Sequence, residues 1–140
     1  MSTNDPDLAE IWIEVLGWIR VATSDMRAVR VCLSADPPMC DIAAYHCQQA
    51  SEKLLKGFLV RANRDFGKTH NLGKLADAVV AAFPHVDGLV EPLRDWTQWS
   101  VAYRYPGTEQ EEPEPSPDGL YTALATIELV RSALLSLAPD

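Results

Sequence analysis

Tyr45-His46-Cys47-Gln48-Gln49-Ala50-Ser51-Glu52-Lys53-Leu54-Leu55-Lys56 reads as the middle of a helix from about Met39 to Asn63. Ala43, Cys47, Ala50, Leu54, Phe58 and Ala62 recur at the helical period and form its apolar face. Gln49, Lys53 and Lys56 share a second face with His46, so their polar heads point at common ground.

The same period continues on both sides. Before it, Leu8, Ile11, Val15, Trp18, Ala22, Met26, Val29 and Leu33 mark a first helix, started by Asp5 as cap with Pro6 in the first turn and stopped at Asp36-Pro37-Pro38. Between Ile11 and Ile19 its apolar residues nearly encircle the axis, which a single core-facing stripe does not require, and this predicts a second buried surface such as a subunit contact. After the central helix, Asn63 to Lys68 is a polar, Gly-containing loop. Thr69 is expected to cap a third helix bearing Leu72, Leu75, Val79 and Phe83, which Pro84 ends. Val86 to Tyr103 predicts a fourth, with Leu89, Leu93, Trp96, Ser100 and Tyr103 in register and Pro92 confined to its first turn. Trp99 falls off that stripe and is expected to face solvent. Ser116-Pro117-Asp118 opens a last helix carrying Leu120, Leu124, Ile127, Val130, Leu134 and Leu137. The expectation is an all-α, antiparallel four- to five-helix up-and-down bundle.

A chain of 140 residues suits one domain over residues 1–140. The exception is Gly107 to Pro117, where prolines alternate with four glutamates, and which reads as a mobile acidic loop about 107–117. The net charge of −8 opposes coating of duplex DNA, which needs surplus Lys and Arg to neutralise phosphates. No apolar run reaches the roughly 20 residues that span a bilayer, and the acidic start lacks a signal-peptide pattern, so no membrane association and a cytoplasmic location are expected. Cys32, Cys40 and Cys47 make no paired motif and read as small buried apolar residues. His46, His70 and His85 are too scattered to suggest a metal, and no cofactor is expected.

Four separated stretches occur in order: Ala22-Thr23-Ser24-Asp25-Met26, then Gln48 to Lys56, then Lys68-Thr69-His70-Asn71-Leu72, then Arg104-Tyr105-Pro106. Together they resemble the HEPN family, the nucleotide-binding domain shared by higher eukaryotes and prokaryotes, with Met26 where the family usually has Leu. The likeness runs from about Trp18 to Leu135. It implies a helical bundle that commonly forms a homodimer and is often encoded beside a minimal nucleotidyltransferase as a toxin and antitoxin pair. Some relatives are metal-independent endoribonucleases; others bind nucleotides or serve as interaction modules. The catalytic ones carry Arg, four to six residues, then His near the start of the last helix. Here no His follows Arg104, which removes the usual proton-transfer group at that place. Arg64 and His70 match the spacing, but in a basic loop far from the family's site.

Lys53, Lys56, Arg61, Arg64, Lys68 and Lys74 fall within a window holding one acid, Asp65, a local positive patch to which a phosphate would be drawn. Lys53, Lys56, Lys68 and Arg104 are therefore the candidates for phosphate contact, although the first two also read as a solvated face with a Glu52–Lys56 pair. His70 is expected to tether its turn to Glu52, and Asp25 to pair with Arg104; Gln49 and Thr69 complete the supporting set. The reading that follows is a helical module binding a nucleotide, RNA or a nucleotidyltransferase partner, with a metal-independent endoribonuclease toxin as the alternative and its catalytic residues unknown.

Overall fold

A computed structural model describes residues 7–100 and 115–140. Among them every regular element is helical: α1 Leu8–Ser34, α2 Cys40–Arg61, α3 Leu72–Ala82, a 3₁₀ turn Pro84–Val86, the single-turn α4 Asp87–Val90, a 3₁₀ helix Glu91–Ser100, and α5 Pro117–Leu135.

Local chemistry sets several of the termini, although the start of α2 at Met39 has no side-chain cap. Asp7 caps α1, its carboxylate accepting from the Ala9 amide at 2.9 Å. The cap is thus Asp7 rather than the expected Asp5, which with Pro6 lies outside the described residues. α2 stops at Arg61 because Asn63 turns into the left-handed region at φ 55°, where asparagine is better tolerated than most residues. The Arg64 amide then reaches back to the Leu59 carbonyl at 2.9 Å. α3 corrects a second expectation. Its cap is Asn71, whose side chain accepts from the Lys74 amide, whereas Thr69 accepts from the Asn71 amide and so shapes the turn one step earlier. Ser116 caps α5 through the Gly119 amide, with Pro117 in the first turn as expected.

The expected fourth α-helix is also corrected. α-helical winding lasts only through Val90 and gives way to a 3₁₀ helix at Glu91. Pro92 accounts for the change, since it has no N–H to give and its ring crowds the carbonyl four residues back. In a 3₁₀ helix side chains at i and i+3 eclipse, which brings Leu93, Trp96 and Trp99 into one line. Leu93 is fully buried, and the Trp96 and Trp99 rings stack at 5.1 Å and 8°, both packed against the core. Trp99 is therefore part of the packing, contrary to the expectation from an α-helical period. Tyr103 and most of the acidic loop lie outside the described residues.

α2 is the axis of the assembly. It packs against α1, α3, α5 and the 3₁₀ helix, and most of its residues are buried. α5 lies alongside α1 in the opposite sense, joined by an Arg30–Glu128 ion pair and by Arg131 donating to the Thr23 hydroxyl. Arg61 donates from Nε to the Leu137 carbonyl at 2.8 Å, fixing the end of α2 to the tail of α5. The loop after α2 doubles back: Phe66 meets Trp18 edge-on, and His70 returns to the level of Glu52. The three cysteines are buried and form no disulfide among the described residues, and burial pushes the Cys47 thiol up to about 12.

The tightest approach is at Gly57. A Cβ there would lie 2.8 Å from Leu134 Cδ2 and 3.4 Å from the Trp18 Cβ, so glycine lets α1, α2 and α5 converge. Gly57→Val should lower unfolding stability by about 2 kcal/mol, within the range for overpacking a filled core, measured by urea denaturation with circular dichroism.

Candidate functional site

The covered position of α2 has a chemical consequence. Asp25, Gln48, Ser51, Glu52 and Lys56 are all buried, and buried polar groups must find partners inside the protein. Two carboxylates organise them.

The first is Asp25, presented by α1 toward α2. Its Oδ1 accepts from His46 Nδ1 at 2.8 Å and its Oδ2 from Lys53 Nζ at 2.5 Å. Burial alone would raise its pKa, but the hydrogen bonds from His46 and Lys53, reinforced by their charges, leave it below the ordinary 3.8. The ionised carboxylate can only accept, so His46 carries its proton on Nδ1. Among the described residues its Nε2 has no hydrogen-bond partner, which leaves that atom for another group. The His46 side chain is 28% exposed and that of Lys53 22%, which places both at the edge of the protein.

The second is Glu52, on α2 itself between His46 and Lys53 in sequence. Oε1 accepts from His70 Nδ1 at 3.0 Å and, at a longer 3.4 Å, from Gln48 Nε2; Oε2 accepts from Lys56 Nζ at 3.2 Å. Gln49 donates to Gln48 Oε1 at 2.5 Å. The Lys56 ammonium also sits 5.3 Å from the Phe66 ring centre, a favourable place for a cation. Each carboxylate thus holds one lysine of α2 and one histidine.

This geometry redistributes the residues singled out in the sequence. The His70 tether to Glu52 is present. Asp25 has both oxygens occupied by His46 and Lys53, while Arg104, its expected partner, lies outside the described residues. Lys53 and Lys56 direct their charges inward, to Asp25 and Glu52, and Lys56 is buried. Arg61 is committed to Leu137. The positive patch is accordingly smaller than the sequence suggests: Arg64, Lys68 and Lys74 are exposed and make no ion pair among the described residues. Thr69 and Asn71 shape the turn that carries Lys68 and His70, and the Leu72 amide is tied to Thr97 Oγ1 at 2.9 Å. Arg94 fastens the same region from the other side by binding the Gly73 carbonyl, Asp77 and Glu91. The role of His46 as the partner of Asp25 was not anticipated, although its place on the Gln49–Lys53 face was the available signal.

A family model described as the HEPN domain matches residues 15–136. The chain belongs to the HEPN family. No curated protein and no solved structure matches it. Within this HEPN bundle the described residues contain no helix long and apolar enough to cross a membrane.

Because the folded pKa of Asp25 lies below that of an unfolded aspartate, its ionised form contributes stability above about pH 4 that is lost as the pH falls through the folded value. Asp25→Asn should therefore lower stability near pH 7 and flatten its dependence on pH below about 4. Parallel urea titrations of the two proteins across that range test this, and equal slopes would show that Asp25 does not couple folding to protons.

Proposed function

We propose that this HEPN protein acts by binding: a nucleotide or other phosphate-bearing group, or a nucleotidyltransferase with which it would form a toxin and antitoxin pair, is received on the face of α2 that carries His46, Gln49 and Lys53 and on the adjoining turn. The Asp25–His46–Lys53 triad carries this reading. A buried carboxylate fixes an imidazole and an ammonium at the protein's edge, so their orientation is set before a ligand arrives, and preorganisation lowers the cost of binding. Lys68, exposed on the turn that His70 ties to Glu52, supplies positive charge on that turn. Lys56, held inside by Glu52, supports the turn and is assigned no direct contact. Arg104 retains its place as a phosphate candidate from the family resemblance.

Titration calorimetry of the full chain with ATP, and separately with inorganic phosphate, tests the ligand half of the reading. Lys68→Ala combined with His46→Ala should weaken ATP binding by about tenfold, the loss expected for removing two polar contacts. Because His46→Ala also unpairs one oxygen of Asp25, binding is compared at a temperature where circular dichroism shows both proteins folded. Undiminished binding would move the site elsewhere on the molecule.

One observation favours the alternative of a metal-independent endoribonuclease. An imidazole whose Nδ1 is held by a carboxylate and whose Nε2 is left available is the arrangement a general base requires. Incubating the full chain with structured RNA in excess chelator separates the two readings. Binding without cleavage is expected; cleavage that disappears in His46→Ala would replace the binding reading with the enzymatic one.

A further inference from the structure

The start of α1, the end of α2 and the end of α3 meet around an open cavity of about 480 Å³. Its walls carry two guanidinium groups, from Arg61 and Arg64, and the Asn63 side chain, beside apolar surface from Leu8, Ile11 and Phe83. A cavity of this size, with apolar walls and a few polar groups, has the usual form of a small-molecule site. At the helical rise, Arg61 lies about 22 Å along α2 from His46, so the cavity is separate from the face assigned to a nucleotide.

The fold does not use up either arginine. Arg61 donates to the Leu137 carbonyl through Nε alone, which leaves Nη1 and Nη2 without a hydrogen bond among the described residues. The chain reverses at Asn63, φ 55°, so that Arg64 joins Arg61 on one cavity wall. Arg64 is exposed, and neither it nor the Asn63 side chain forms a side-chain hydrogen bond or ion pair among the described residues. Leu8 is 48% exposed, an uncovered apolar side chain beside these charges. No carboxylate lines this cavity among the described residues, but acids stand on both sides of it. Glu14 and Asp65 line the adjoining recess beyond Arg64, and Asp7 and Asp140 the one beyond Arg61. Asp65 accepts from the Gly67 amide and Asp7 from the Ala9 amide, and none of the four pairs with either arginine. Flanking carboxylates repel a multiply charged anion. A single carboxylate between two guanidinium groups gains charge-assisted hydrogen bonds, and the planar fork of arginine matches its geometry.

We infer that this cavity binds an apolar monocarboxylate. Arg61 and Arg64 hold the carboxylate, and the hydrocarbon body lies on Leu8, Ile11 and Phe83. The Asn63 amide is a further hydrogen-bonding group at the polar end. The assignment is independent of the nucleotide reading, because it shares no residue with the Asp25–His46–Lys53 triad.

Heteronuclear NMR titration of the full chain with octanoate tests the inference. Octanoate should shift the amide signals of Asn63, Arg64, Ala82 and Phe83 and saturate with a Kd of about 1 mM, an affinity within reach of so small a ligand. Acetate, which lacks the body, and octanol, which lacks the charge, should each bind at least about tenfold more weakly. Octyl phosphate, doubly charged near pH 8, should also bind more weakly than octanoate. Arg64→Met, at an exposed position, should raise the octanoate Kd at least about tenfold, the effect of losing a charged hydrogen bond. Ala82→Leu keeps both arginines but fills part of the cavity that Ala82 lines, and it should weaken octanoate binding as well. Signals that fail to saturate, or that move at His46 and Lys53 instead, would overturn the assignment. So would octanol or octyl phosphate binding as tightly as octanoate, or undiminished binding in either variant.

Discussion

A helix that is covered on nearly every side leaves its polar side chains with nowhere to go but inward, and this constraint on α2 governs the molecule. Glu52 is buried, and an uncompensated carboxylate there would cost several kcal/mol. The loop after α2 returns far enough to bring His70 to it, Lys56 bends back along the helix to meet it, and Gln48 approaches from the preceding turn. The path of the loop and the starting point of α3 follow from satisfying that group. Asp25 imposes the same demand between α1 and α2, and it is met by His46 and Lys53.

Helix positions were legible in the sequence wherever an apolar stripe kept the 3.6-residue period. α1, α2 and α5 have such stripes, and so did their strong punctuation, including Asp36-Pro37-Pro38 and Ser116-Pro117. What a period could not reveal was a change of winding. Leu93 and Trp96 fit an α-helix and a 3₁₀ helix alike, and only Trp99 distinguishes them; the α-helical reading sent it to solvent. Competing caps were similarly ambiguous, because Thr69 and Asn71 both precede α3 and both accept a backbone hydrogen bond. Asn71 is the cap because its bond is to the third residue of the helix.

The polar site was legible in composition more than in pairing. Gln49, Lys53 and Lys56 could be placed beside His46 from spacing alone, and the Glu52–His70 contact could be expected because the turn after α2 needs a polar anchor on the preceding helix. That Lys53 crosses to α1, and that His46 shares its carboxylate, depends on the register between two helices, which no local pattern records. A basic window in the sequence therefore overstated the charge available to a ligand. The acids that neutralise Lys53 and Lys56 both lie outside the window, Glu52 immediately before it and Asp25 on another helix.

The deeply buried thiol of Cys47 has a practical side. With its ionisation displaced to about 12 by burial, it holds almost no thiolate at neutral pH, and the thiolate is the form that alkylating reagents and oxidants attack. Modification must wait for α2 to part from its neighbours. The residue is thus an inbuilt clock for opening events at the centre of the bundle, insensitive to motions of the surface and sensitive to the rare excursions that expose the core.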